Sequence, residues 1–136
     1  MATPTPIATL GRDAKTAEAV RELLLPDFDV VHTCLDTATA ETELPLVCSG
    51  QLEAAAQSGL GSNAKLPAGE RRVPSVIYLG GGVSDEDTAK LTAVVGEKAP
   101  GVRFIRVTRD EVLATGATGP VPEVIAKIFR EKFASL

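Results

Sequence analysis

The chain has no tryptophan, one tyrosine and four phenylalanines. So few aromatic faces argue against a stacking platform for single-stranded nucleic acid. A single histidine, His32, cannot supply a His-rich metal centre, and no metal site is expected. Two cysteines, Cys34 and Cys48, make no disulfide framework. There is no cationic excess either: the net charge is -4, so no global field draws a phosphate backbone. The densest basic cluster, Lys127, Arg130 and Lys132, is interrupted by Glu131 and reads as the solvated face of a helix. A nucleic-acid partner is therefore not expected. No run approaches the ~18 to 20 apolar residues of a membrane span, and Met1–Pro6 lacks the basic and apolar regions of a signal peptide. A cytoplasmic protein with reduced thiols and no membrane partner is the expectation.

What the chain does have is a hydrophobic fraction of 44% over 136 residues, mostly Ala, Val and Leu. That composition argues against disorder and suits helices packed closely on a sheet. Residues 1–136 read as one α/β domain.

Short apolar runs alternate with amphipathic ones, the pattern of βα units. The first strand is expected over Ile7–Leu10, followed by Gly11-Arg12 and by Asp13 as N-cap of a helix to about Leu25. Ala17, Val20, Leu23 and Leu24 share one face of that helix, and Pro26 stops it. Phe28–Thr33 is the second strand. A helix is expected over Asp36–Glu43, with a kink or restart at Pro45, and another over Leu52–Gln57. Residues 59–72 lack periodicity and read as a long loop, a lid over the strand ends or a disordered excursion. Val76–Leu79 is wholly apolar, as a strand covered on both faces should be. Ser84, with Asp87 three residues on, caps a helix carrying Leu91, Val94 and Val95. A fourth strand spans Val102–Val107, a Gly/Thr-rich turn covers 114–119, and a last helix opens near Pro122 with a stripe of Val124, Ile125, Ile128, Phe129 and Phe133.

This βαβαβαβα order, with right-handed crossovers and a buried third strand, predicts a three-layer αβα sandwich around a parallel sheet of order 2-1-3-4, the last helix returning to the face of the first. At the level of fold the pattern resembles flavodoxin-like and Rossmann-like domains.

Ligands of such sheets bind beyond the carboxyl ends of the strands, where the strand order switches. Here the switch brings together Gly11-Arg12-Asp13 and Gly80-Gly81-Gly82 with Ser84, flanked by Thr108-Arg109-Asp110 and by Cys34-Leu35-Asp36. Three glycines before a helix expose backbone N–H groups, and Arg12 and Arg109 offer bidentate contacts to phosphate or carboxylate. The expected ligand site is Gly11, Arg12, Asp13, Gly80, Gly81, Gly82, Ser84 and Arg109.

Other features lead less far. Gly59-Leu60-Gly61-Ser62-Asn63-Ala64 matches the dinucleotide fingerprint in letters, but it follows a helix and precedes Lys65-Leu66-Pro67, the wrong context. His32 and Cys34 share a strand face, with Asp36 as a candidate orienting group; a buried, inert thiol and a satisfied histidine are the favoured reading. Cys48 reads as a small hydrophobe. There is no phosphate-loop motif, no nucleophile elbow and no C-x-x-C pair. A receiver domain resembles this size and strand pattern, but the acidic residues it needs after strands one and three are replaced by Gly11-Arg12 and Gly80-Gly81. FMN binding would want a Ser/Thr-rich first loop and aromatics. No cofactor is named by any motif.

The leading expectation is a small-ligand-binding domain that recognises an anionic group: a phosphate, nucleotide or carboxylate. The alternative is an interaction module, a homodimer formed through an exposed sheet edge or through Phe129, Phe133 and Leu136. An enzyme drawing on Asp13, Asp36, Asp110 and His32 is the third reading, and nothing in their spacing requires it.

Overall fold

A computed structural model describes residues 4–136. Met1–Thr3, on which the signal-peptide expectation partly rests, lie outside the described residues. Four strands, β1 (Thr5–Leu10), β2 (Phe28–Cys34), β3 (Val76–Leu79) and β4 (Arg103–Arg106), form one parallel sheet in the order β2-β1-β3-β4. The helices are α1 (Ala14–Leu24), α2 (Thr37–Cys48), α3 (Asp85–Lys98), α4 (Arg109–Ala114) and α5 (Pro122–Ala134). Among the described residues, no helix is long and apolar enough to cross a membrane.

The helices cover both faces of the sheet, and the strand sequences say why. Every residue of β3 is buried, because Val76 and Tyr78 face one helical layer and Ile77 and Leu79 the other. On the first face α1 and α5 pack together over Ile7, Val30 and Ile105. Phe28, Tyr78, Phe129 and Phe133 meet there edge to face, with the Phe28 and Phe129 centroids 5.0 Å apart. Such pairs contribute about 0.5–1.5 kcal/mol beyond their buried area. On the second face α2 and α3 cover Ala8, Leu10, Ile77 and Leu79. Phe129 is fully buried and Phe133 packs on Phe28, so of the three apolar residues expected to offer α5 to a partner only Leu136 is exposed. On α1, Val20 and Leu24 are buried, whereas Leu23 faces solvent.

The helix signals hold where a side chain closes the first turn. Asp13 accepts from the Lys15 amide (3.0 Å) and Ser84 from the Asp87 amide (3.1 Å). Three local expectations need correction. Helix α2 runs on through Pro45 to Cys48, because the buried Leu44, Val47 and Cys48 anchor both sides of the missing hydrogen bond. Residues 52–57 are not helical; only Ala56 among them is buried, so the alanines have no apolar face to dock. The Leu52 and Glu53 carbonyls instead accept from the Arg71 guanidinium at 2.7 and 3.0 Å. Arg109-Asp110, expected in a strand-end loop, instead begin the short helix α4. Its start is a reciprocal capping box: Thr108 Oγ1 accepts from the Glu111 amide, and Glu111 Oε1 from the Thr108 amide.

The long excursion after α2 is neither a lid nor disordered. It carries two short 3-10 turns, Ser62–Lys65 and Ala68–Glu70. The buried Asn63 side chain bonds both the amide and the carbonyl of Arg72. Arg71 also donates to the Asn63 and Leu66 carbonyls, and Arg72 ties the segment to Asp29 on β2 (2.9 Å). The first turn packs along β2, so one of the two sheet edges is covered.

Where β2 meets this segment it carries a bulge. Ile7 pairs with Val30 but Ala8 with His32, leaving Val31 as the extra residue. Strict alternation would place Phe28, Val30, His32 and Cys34 on one face. The bulge divides them: Phe28 and Val30 join the α1/α5 core, while Cys34 turns to the α2 side and His32 to Glu43 on α2.

Candidate functional site

At the carboxyl end of the sheet, on the α1/α5 face, a cavity of about 580 Å³ opens between the strand ends, the start of α1, α4 and the loop before α5. Its size falls within the ~300–1,000 Å³ range of small-molecule sites. The walls are mostly apolar, with Val20 from α1, Val107 after β4, Val112 from α4 and Ile125 from α5.

Seven of the eight residues expected from sequence line this cavity: Gly11, Arg12, Asp13, Gly80, Gly81, Gly82 and Arg109. Ser84 does not, because its hydroxyl faces α3 as the N-cap. The glycines differ in role. The Gly80 amide extends the β1–β3 ladder by donating to Leu10 O (2.9 Å), and the Gly11 amide donates to Cys34 O (3.1 Å). Both donors are therefore engaged. The amides of Gly81 and Gly82 have no backbone partner among the described residues. Gly81 is closely packed, since a Cβ there would lie 3.0 Å from the Arg109 amide nitrogen. A Cβ on Gly82 would press on the Arg12 side chain, which is free to move.

The charges around the mouth are mixed. Arg109 is exposed and forms no ion pair among the described residues. Arg12 is 60% exposed and 3.9 Å from Asp87, a loose pair. Asp13 has a pKa lowered from the ordinary carboxylate value, first because the Thr16 hydroxyl donates to it and then because the Lys15 amide does. It is an anion on the α1 side of the rim. The first turn of α3 carries Asp85, Glu86 and Asp87, which already answer that helix's dipole. The rim thus carries cationic and amide groups at Arg12, Arg109, Gly81 and Gly82, and acidic groups at Asp13 and in the first turn of α3.

Sequence reasoning missed two groups on the cavity floor. Thr9 and Tyr78 are 3% and 7% exposed, both line the cavity, and neither hydroxyl has a hydrogen-bond partner among the described residues. Burial pushes the Tyr78 phenol far above its usual value, so it is a neutral donor. The signal was available: Thr9 interrupts an apolar strand, and Tyr78 is the one tyrosine, two residues before the glycines.

The other candidate residues are not brought together. Asp36 caps α2 through the Thr39 amide and hydroxyl, and Asp110 is exposed in α4. His32 is buried, and its Nε2 donates to Glu43 Oε1 at 2.8 Å. Burial lowers the imidazole's pKa, with Glu43 pulling the other way. Cys34 is fully buried, and burial, reinforced by Glu43 and Asp36, drives its thiol far up. It is no nucleophile. Cys48 is likewise buried, and its thiol is pushed up to about 12. The third group beside His32 and Cys34 is Glu43, not Asp36.

Fold and cavity together define an α/β protein with a parallel sheet, helices on both faces and a pocket at the strand ends. No family profile matches the chain, and no solved structure matches it. Over 116 residues it is 26% identical to "Kojic acid related protein 6" of Aspergillus oryzae (strain ATCC 42149 / RIB 40), a stretch covering 85% of this chain and 66% of that protein. The chain thus spans just under two thirds of that relative's length.

Proposed function

We propose that this is a cytoplasmic, small-ligand-binding domain of flavodoxin-like or Rossmann-like type, taking a ligand with an apolar body and one anionic group, a carboxylate or phosphate. The cavity at the β1–β3 switch point is the observation that carries this reading, since doubly wound sheets bind ligands there. The apolar walls suit the ligand's body. The Gly81 and Gly82 amides and Arg109 suit its anionic end, with Arg12 at the rim, and the Thr9 and Tyr78 hydroxyls suit a polar atom at its far end. Two free, buried cysteines agree with a reducing compartment.

The test is a thermal-shift panel of aromatic and aliphatic carboxylates, sugar phosphates, nucleotides and dinucleotides, run on the wild type and on Arg109→Glu. A ligand at roughly 100 times its Kd adds about 2.7 kcal/mol of stability. The expected result is a shift with one amphipathic anion class that Arg109→Glu removes while its ligand-free Tm stays within a degree or two of wild type. A shift that survives Arg109→Glu, or no shift across the panel, contradicts the reading.

A second reading, a homodimer, has one observation in its favour: β4 is an edge strand of the sheet, although the exposed Arg103 on it works against edge pairing. A monomer mass independent of concentration in light scattering removes it.

A further inference from the structure

We propose that His32, Cys34 and Glu43 form a binding site for a zinc-class divalent cation, separate from the cavity. The bulge at Val31 brings the three together by turning His32 and Cys34 onto the face covered by α2. His32 Nε2 lies 2.8 Å and Cys34 Sγ 3.7 Å from the same oxygen, Glu43 Oε1. All three candidate ligand atoms lie within 4.8 Å of one another. A tetrahedral zinc with bonds of about 2.0–2.3 Å spaces its ligands roughly 3.3–3.7 Å apart. The carboxylate must therefore move outward from the imidazole, and the Nε2–Sγ pair, at up to 4.8 Å, must close by about 1 Å through side-chain rotation. One imidazole, one thiolate and one carboxylate is a donor set that zinc accepts and that magnesium and calcium do not.

Two further features fit a cation. Glu43 Oε2 accepts from the Gln57 amide at 3.1 Å, which leaves Oε1 aimed at the pair and holds the carboxylate as outer-sphere partners hold a metal ligand. Glu43 is also the partly exposed member, 19% against 3% for His32, so a cation has a route in from the α2 side and the fourth position can take water. Uptake balances simply: the Cys34 thiol proton leaves to solvent, the Nε2 proton is replaced by one on Nδ1, and the cation joins Nε2, Sγ and Oε1. The site would clamp β2 to α2 and to residue 57.

The experiment is titration of reduced, chelator-treated full-length protein with Co2+, followed by displacement with Zn2+. The expected result is a saturable thiolate-to-cobalt charge-transfer band that zinc removes, that Cys34→Ser abolishes and that Cys48→Ser leaves intact. Glu43→Gln should weaken uptake by at least the roughly tenfold that loss of an outer-sphere partner costs. X-ray absorption of the zinc-loaded wild type, which needs no variant to fold, should show one sulfur among nitrogen and oxygen neighbours. Absence of the band, its survival in Cys34→Ser, or an all nitrogen–oxygen shell overturns the proposal and leaves His32–Glu43 as a plain buried pair.

Discussion

Thr9 on β1 and Tyr78 on β3 are register partners in adjacent parallel strands, and both line the floor of the strand-end cavity. Neither oxygen is among the buried polar atoms left without a partner, so each hydroxyl reaches the cavity and can be hydrated there in the free protein. The substitutions Tyr78→Phe and Thr9→Val should therefore leave the free protein within about 1 kcal/mol of the wild type, while weakening the ligand found in the panel. Urea denaturation and calorimetric titration check the two halves. A loss of more than about 2 kcal/mol on either substitution would mean that the hydroxyl already has a partner.

Gly61 is the point where the excursion after α2 meets the bulged strand. Its φ is +98°, and a Cβ there would lie 2.6 Å from the Val31 carbonyl oxygen and 2.8 Å from the His32 amide. Gly61→Ala should cost about 1–3 kcal/mol through backbone strain and steric conflict. It should also raise hydrogen exchange across residues 58–66. A variant as stable as wild type would show that this segment does not dock on β2.

Glu111 closes the α4 capping box and pairs with Lys132. Burial pushes its carboxyl up, but hydrogen bonds from Lys132 and from the Thr108 amide and hydroxyl outweigh that and hold it below the ordinary value of 4.5. A carboxylate lowered in the folded state adds stability that is present above its unfolded pKa and lost as the pH falls through the folded one. Glu111→Gln should thus be less stable than wild type at neutral pH, and the gap should close below about pH 4.5. Denaturation midpoints across a pH series measure it; a gap that does not narrow as the pH falls below 4.5 contradicts this account of the pair.

The strand order and most of the cavity rim were legible because their signals are local. Val76–Leu79 is apolar without interruption, Asp13 and Ser84 cap helices within their own first turns, and the glycines mark the strand ends. The errors came where distant contacts decide. Nothing near Leu52–Gln57 shows that Arg71 will take its carbonyls. Nothing near His32 shows that a bulge will turn it toward Glu43, eleven residues on. Arg109 was placed on the rim, but its helix was not, although Thr108 and Glu111 have the spacing of a capping box. Ser84 illustrates the opposite failure: its hydroxyl caps α3, and the residue lies off the cavity lining.

The central claim is that the strand-end cavity binds an amphipathic anion, and amide chemical-shift mapping of the labelled protein tests it most directly. Titration with the anion class that stabilises the protein should move the Gly81, Gly82 and Arg109 amides together with those of Thr9 and Tyr78, saturably. The β4 edge and the His32–Glu43 region should stay still. Shifts confined to surface lysines or to β4, with Gly81 and Gly82 unmoved, would contradict the account.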